Sequence, residues 1–178
     1  MKAVKLRNYN AALQRAQFMV DSYKIVSSPA YYYYINRIFD GEDYTFIKSE
    51  ETDGAIELMM ENYEFSENIY RIEREWFEGD SLLPKYQWGL AIKQMWSNSL
   101  HLSIPDNMTY APSVKSIYTV IRTTGRNAFS PELFLPAMEY LKQAGYELAG
   151  DVLGIWIATI QEEGQEARYM EVWIPIKE

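Results

Sequence analysis

The 178-residue sequence predicts an α+β domain: one N-terminal helix, then the order strand–helix–strand–strand twice, giving a largely antiparallel sheet covered by helices on one face. Three observations predict it. Apolar residues recur at helical spacing in some stretches and alternate in others. Gly, Pro, Asn and Asp clusters punctuate the chain between them. The composition, 48% hydrophobic and 24% charged, is that of a folded chain long enough for one sizeable core. The repeat is one of elements, since the letters of the two halves do not match.

Residues 1–23 read as a helix, with Leu6, Tyr9, Leu13, Ala16, Val20 and Tyr23 in an a/d heptad pattern. This is either a coiled-coil linker or a surface helix packed on its own domain. Pro29 ends it, because a proline disfavours helical geometry in the residue before it. Ala30 to Ile38 follows as a strand, with Tyr31, Tyr33 and Ile35 on one face and Tyr32, Tyr34 and Asn36 on the other. Residues 49–65 read as a helix with Ser49 as N-cap and a stripe of Ile56, Met59, Met60 and Tyr63. Ile69–Phe77 and Tyr86–Lys93 read as strands joined through Gly79, Asp80 and Pro84.

The second half follows the same order. Val114–Arg122 reads as a strand ended at Thr123, Thr124 and Gly125. Ser130 and Pro131 start a helix whose row is Phe134, Met138, Leu141 and Ala144, and Gly145 stops it. Pro136 lies inside it, so a kink or a later start is expected. Val152–Ile160 and Tyr169–Ile176 read as strands joined by a hairpin around Glu162, Glu163 and Gly164.

Composition excludes several functions. Without cysteine there is no disulfide scaffold, thiolate zinc site or cysteine nucleophile. A single histidine, His101, excludes a multi-histidine metal site. A net charge of −8 repels phosphate and argues against direct nucleic-acid contact. Asn8, Asn10, Gln14, Arg15 and Gln17 interrupt any signal-peptide core, and the longest apolar run, Val152 to Ala158, is too short to span a membrane. A soluble, cytoplasmic protein is expected. No Walker loop, zinc motif or nucleophile elbow occurs, so no cofactor is expected.

The aromatics are in excess, with 15 Tyr, 7 Phe and 5 Trp. On the last strand Met170, Val172 and Ile174 form an aliphatic face, whereas Tyr169, Glu171 and Trp173 point the other way. A carboxylate between two large aromatics suits a flat, greasy cation, which relieves the desolvation of the carboxylate and stacks on the rings. The alternative is that Glu171 is an exposed edge residue paired with Arg168 or Lys177. Tyr118 alternates with Ile117 and Thr119, Trp156 lies with Val152 and Gly154, and Trp88 shares a face with Tyr86, Leu90 and Ile92. Parity within one strand does not say which of these faces converge. Glu73 and Glu75, alternating with Arg71, read as an ordinary solvated strand face.

The C-terminal third resembles a known family. Ser116–Arg122, Thr124-Gly125, the Leu133–Gly145 helix with Tyr146, Gly150-Asp151 and the closing Tyr169–Ile176 strand are similar to the GyrI-like, BmrR-type effector-binding domain of multidrug-responsive MerR-type and some AraC-type transcriptional regulators. Gln87–Ile92 looks like the strand that closes the family's first repeat. The resemblance implies repeats at about 24–95 and 110–178, related by a pseudo-twofold axis and forming a concave antiparallel sheet with the ligand groove between them. It implies that Glu171 is the groove's acidic residue and Trp173 its partner aromatic. The tyrosines Tyr31 to Tyr34 would supply the opposite wall by their place in the repeat. The candidate ligand-binding set is Glu171, Trp173, Tyr169, Tyr118, Trp156, Tyr33, Tyr31 and Trp88, with no catalytic or metal residues assigned.

The expected function is therefore a ligand sensor for hydrophobic, cationic small molecules within a transcriptional regulator. Its DNA binding would reside in a separate N-terminal head, and residues 1–23 would be the end of a dimerising helix that makes a homodimer. Two alternatives go with the same resemblance: a stand-alone hydrolase of electrophilic compounds using Glu171 with Tyr118 or Tyr169, and a gyrase-inhibitor-like interaction protein.

Overall fold

A computed structural model describes residues 10–14, 16, 18–47, 53–79, 85–124, 131–162 and 164–178. Helix α1 comprises 10–14, 16 and 18–19, and closes in a turn at Asp21, whose φ of 57° takes the chain out of helical geometry. It therefore stops before 23. Lys24–Ser27 forms a short strand, β1, that the heptad reading passed over. Leu6 and Tyr9 of the heptad lie outside the described residues.

The first repeat is β2 (Tyr31–Phe39), α2 (Asp53–Glu61), β4 (Ser66–Ile72) and β5 (Tyr86–Lys93), with the small strand β3 (Tyr44–Phe46) after β2. The expected Ser49 cap and the turn residues Asp80 and Pro84 lie outside the described residues. Helix α2 turns Ala55 and Met59 inward and leaves Met60 65% and Tyr63 47% exposed, so only part of the expected stripe packs. The strand expected over 69–77 ends at Ile72. Arg74–Glu78 is a short helix, α3, whose Trp76 and Phe77 rings meet Phe134 edge-on at 6.1 and 5.4 Å. Burying two adjacent large aromatics against one partner suits a helical turn, whereas a strand would send them to opposite faces. Glu73 and Glu75 accordingly do not share a strand face.

Helix α4 (Gln94–Ser99) and strand β6 (Thr109–Ala111) lead into the second repeat. That repeat is β7 (Lys115–Thr124), a 3-10 turn at Pro131–Leu133, α5 (Leu135–Gln143), β9 (Val152–Glu162) and β10 (Gln165–Lys177), with the two-residue strand β8 (Glu147–Leu148) before β9. Pro136 sits in the first turn of α5, where its missing N–H costs nothing, so the later start holds. The Ser130 cap lies outside the described residues.

The ten strands of the described residues join one antiparallel sheet in the order β1-β7-β10-β9-β4-β5-β2-β3, with β6 on β2 and β8 on β10. Within each repeat the third strand lies between the first and second, and the two second strands, β4 and β9, meet at the centre. The order is thus the same from either end, as a pseudo-twofold axis between β4 and β9 requires.

One sheet face carries α2 and α5. Met170, Val172, Ile174, Tyr70, Ile72, Trp88 and the α5 residues Ala137 and Leu141 form one cluster there, and Tyr34, Ile92, Ala55 and Met59 another. At the centre of this face Tyr70 lies in register with Gly154, and its ring fills the space a side chain there would need: a Cβ on Gly154 would stand 1.8 Å from Tyr70 Cζ. The opposite face gathers Tyr31, Tyr33, Tyr118, Val120, Ile155, Tyr169 and Trp173, together with Ala16 and Met19 of α1. In a flat sheet β10 and β2 would stand four steps, about 19 Å, apart. The Tyr31 and Trp173 rings nevertheless approach to 6.2 Å, so the sheet curls and this face is concave.

Candidate functional site

Strand register sets the concave face in rows. Val120, Glu171, Ile155 and Ile69 lie opposite one another across β7, β10, β9 and β4, and Tyr118, Trp173, Leu153 and Arg71 form the next row. Glu171 is therefore a mid-sheet residue, with no edge beside it to reach water. It is 5% exposed. Tyr118, diagonal to it on β7, donates its hydroxyl to Glu171 Oε1 at 2.7 Å. The Tyr118 ring packs 5.6 Å from that of Trp173, which in turn faces Tyr31. The carboxylate thus sits on a floor of aliphatic side chains with aromatic rings on one flank.

Beside Glu171 opens a cavity of about 330 Å³ bordered by Ala11 and Ala12 of α1, by Glu64 and Phe65 of the turn before β4, by Ser66 and Glu67 at the start of that strand, by Lys93, and by Ile155 and Ile157 of β9. This size is at the lower end of small-molecule sites. Lys93 Nζ pairs with Glu67 Oε1 at 2.9 Å and stands 5.9 Å over the Tyr31 ring. A second hollow of about 350 Å³ lies at the other end of the groove, beside Tyr33, where the Arg71 guanidinium is committed to Asp151, with contacts of 2.5 and 2.7 Å, and to Gln87 at 2.8 Å. Burial pushes the Tyr33 hydroxyl pKa up, and the Arg71 charge partly offsets this. Tyr70, wholly buried under the groove floor, has its pKa driven well up by desolvation and then by the Glu171 charge.

Tyr169 shares the face with Glu171 but is engaged elsewhere. Its hydroxyl donates to Glu162 Oε1 at 2.5 Å, and Arg122 Nη2 holds Glu162 Oε2 at 2.6 Å. The Tyr169 bond and then the Arg122 bonds hold the Glu162 carboxyl below its usual range, while burial and the bond to Glu162 raise the Tyr169 hydroxyl.

Of the eight candidate residues, Glu171, Trp173, Tyr118, Tyr169, Tyr31 and Tyr33 come together on the concave face. Trp88 does not. It lies in register with Tyr70 and packs with it on the helix-bearing face, at a ring distance of 5.8 Å. Trp156 borders the cavity, yet its ring packs with Trp88 at 5.5 Å and beneath Arg168 at 5.6 Å. Alternation along β9 causes this: Trp156 follows Val152 and Gly154 onto the helix-bearing face while Ile155 and Ile157 face the groove, and the register shift between Tyr169 and Met170 then brings Ala158 opposite Tyr169. Glu64, Glu67 and Lys93 were not among the candidates. The local signal for Glu64 is a carboxylate between two aromatics in Tyr63-Glu64-Phe65.

Among the described residues no group of three or more His, Asp or Glu side chains is placed to hold a metal ion, and no helix is long and apolar enough to cross a membrane.

No protein-family profile matches the chain, and no curated protein does. Solved structures do. The C-terminal domain of EcmrR matches with a TM-score of 0.48 at 11% identity, over 88% of this chain and 96% of that one. EcmrR in its complex with DNA matches at 0.47 and 11% identity, over 99% of this chain and 66% of that one. A hydrolase from Listeria innocua matches at 0.52 and 4% identity, over 95% and 98%. At that identity the likeness to the hydrolase is one of fold.

Proposed function

We propose that this chain is a small-molecule-sensing domain of the GyrI-like type, the effector-binding part of a transcriptional regulator, and that its ligands are hydrophobic cations. The observation that carries this reading is Glu171, a carboxylate 5% exposed in the middle of a concave sheet face, hydrogen-bonded to Tyr118 and bordering a cavity. Burying a carboxylate costs free energy that a cation recovers. The aromatic residues on the cavity wall, Phe65, Trp96 and Trp156, offer about 0.5–2 kcal/mol for each desolvated cation–ring contact. A neutral ligand of the same shape gains only burial. DNA contact in such a regulator belongs to a separate head, in keeping with the −8 charge of this chain.

The test is a titration with rhodamine 6G followed by tryptophan quenching, beside an uncharged aromatic of similar size and the Glu171→Gln variant. The expected result is micromolar binding that prefers the cation and weakens at least tenfold in Glu171→Gln, with the neutral probe unaffected. Equal loss for both probes, or no binding by the wild-type chain, overturns the reading.

The 2.7 Å contact between Tyr118 and Glu171 favours one other reading, a hydrolase in which this pair activates water against an electrophile. Turnover of a strained electrophile such as an epoxide, abolished in Glu171→Gln, would replace the sensor reading.

A further inference from the structure

Glu64 lies in the connection between α2 and β4, and hydrogen bonds on both sides fix that connection. Asn62 Nδ2 donates to the Leu58 carbonyl at 2.9 Å, the Phe65 N–H to the Asn62 carbonyl at 2.9 Å, and the Ser66 hydroxyl to the Met59 and Asn62 carbonyls at 2.9 and 3.0 Å. Phe65 packs its ring 5.0 Å from Trp96. The backbone around Glu64 is therefore held in place before any ligand arrives.

The side chain it positions is anomalous. Glu64 is 8% exposed and borders the cavity next to Glu171. Its Oε1 is buried without a hydrogen-bond partner. Buried polar groups are almost always paired, and an unpaired carboxylate oxygen is among the costliest exceptions. The one ammonium on the described cavity wall, Lys93, is committed to Glu67 at 2.9 Å. Three carboxylates and one ammonium leave the wall two negative charges in excess.

We infer that Glu64 is a second anchor of the cavity and that it selects cations carrying N–H donors: primary amines, amidines or guanidines attached to an aromatic body. This rests on the reading of the groove as a cation site and adds a distinction that Glu171 alone does not make. Aromatic rings and a hydrogen-bonded carboxylate attract any positive charge, quaternary or not. A carboxylate oxygen without a donor gains a charge-assisted hydrogen bond only from a cation that has a proton to give.

The test compares two probes of equal charge, 1-naphthylmethylammonium and its N,N,N-trimethyl derivative, each displacing rhodamine 6G from the wild-type chain, Glu64→Gln, Glu64→Ala and Glu171→Gln. Wild type is expected to prefer the primary ammonium at least tenfold. Both Glu64 variants are expected to reduce that preference to within threefold, and Glu171→Gln to weaken the two probes alike. Folding of the Glu64 variants is checked by thermal melting, where removal of an unpartnered carboxylate should leave the midpoint unchanged or raised. Equal affinity of wild type for the two probes, or a preference that survives both Glu64 substitutions, overturns the role of Glu64 and leaves the cation groove standing. Failure of rhodamine 6G itself to bind overturns both.

Discussion

Substituting Tyr118 by Phe removes one hydroxyl and leaves the ring, so its packing 5.6 Å from Trp173 persists while the 2.7 Å hydrogen bond to Glu171 is lost. A hydrogen bond to a charged group contributes about 1.5–3 kcal/mol net. For a domain of this length each kcal/mol moves the melting midpoint by about 2–4 °C, so Tyr118→Phe should lower it by roughly 3–12 °C at neutral pH. The assay is a double-mutant cycle by chemical denaturation, with Glu171→Gln as the second arm. In the Gln background the same hydroxyl meets a neutral acceptor and contributes only about 0.5–1.5 kcal/mol. The cycle should therefore return a coupling of about 1 kcal/mol or more between the two sites. If Tyr118→Phe shifts the midpoint by less than about 2 °C, or costs the same in both backgrounds, the hydroxyl is not holding a buried charge and the account of the groove fails at its centre.

Two further expectations concern the frame around the groove. Gly154→Ala places a methyl 1.8 Å from Tyr70 Cζ, about half the normal carbon–carbon contact distance, against a ring that is itself fully buried. It should destabilise by about 3 kcal/mol or more, and Tyr70→Leu in the same chain should recover part of the loss in a denaturation curve; no recovery would place the strain elsewhere. The Glu162 carboxyl is held low by Tyr169 and Arg122, so its share of stability is present above the unfolded-state pKa and lost as pH falls through its folded value. A carbon-detected NMR titration should find Glu162 below the ordinary glutamate midpoint of about 4.3. Tyr169→Phe should move it upward, and an unchanged midpoint in that variant would refute the arrangement.

The parts of the fold legible in the sequence are those where one physical pattern acts alone. Strand β5 matches the expected Tyr86–Lys93, because its residues pack on both faces between turn signals. The parity of β10 separated Glu171 from Met170, Val172 and Ile174 correctly, since a residue's face follows from alternation without any tertiary information. Strands β1, β3, β6 and β8 leave no mark in the sequence, because two to four residues give no period and form only by pairing with a longer neighbour. Trp76 and Phe77 have strand propensity, and the contact with Phe134 that makes them helical is more than fifty residues away. The same limit governs the site. Trp88 and Trp156 are on strands that line the groove, but which of a strand's two faces becomes the concave one is decided only in the assembled sheet. Glu64 lies in a turn, where no periodicity marks it; its flanking aromatics are a weak local signal, and its burial is what singles it out.

The seat of α1 gives ligand bulk an energetic meaning separate from ligand charge. Ala16 and Met19 are buried against the same rings that flank Glu171, and Ala11 and Ala12 form part of the cavity wall. A molecule that fits within about 330 Å³ leaves this helix in place. A larger one would meet the wall at Ala11 and Ala12 and, in displacing α1, would uncover Met19, whose buried side chain is worth about 1.5–3 kcal/mol, so its apparent affinity would be its intrinsic affinity reduced by roughly ten- to a hundredfold. By reciprocity the same molecule weakens the hold of the sheet on α1 by that factor. On the proposed sensor reading, helix α1 would thus respond to the size of what fills the groove: a small cation would leave its packing intact, and a large one would weaken it.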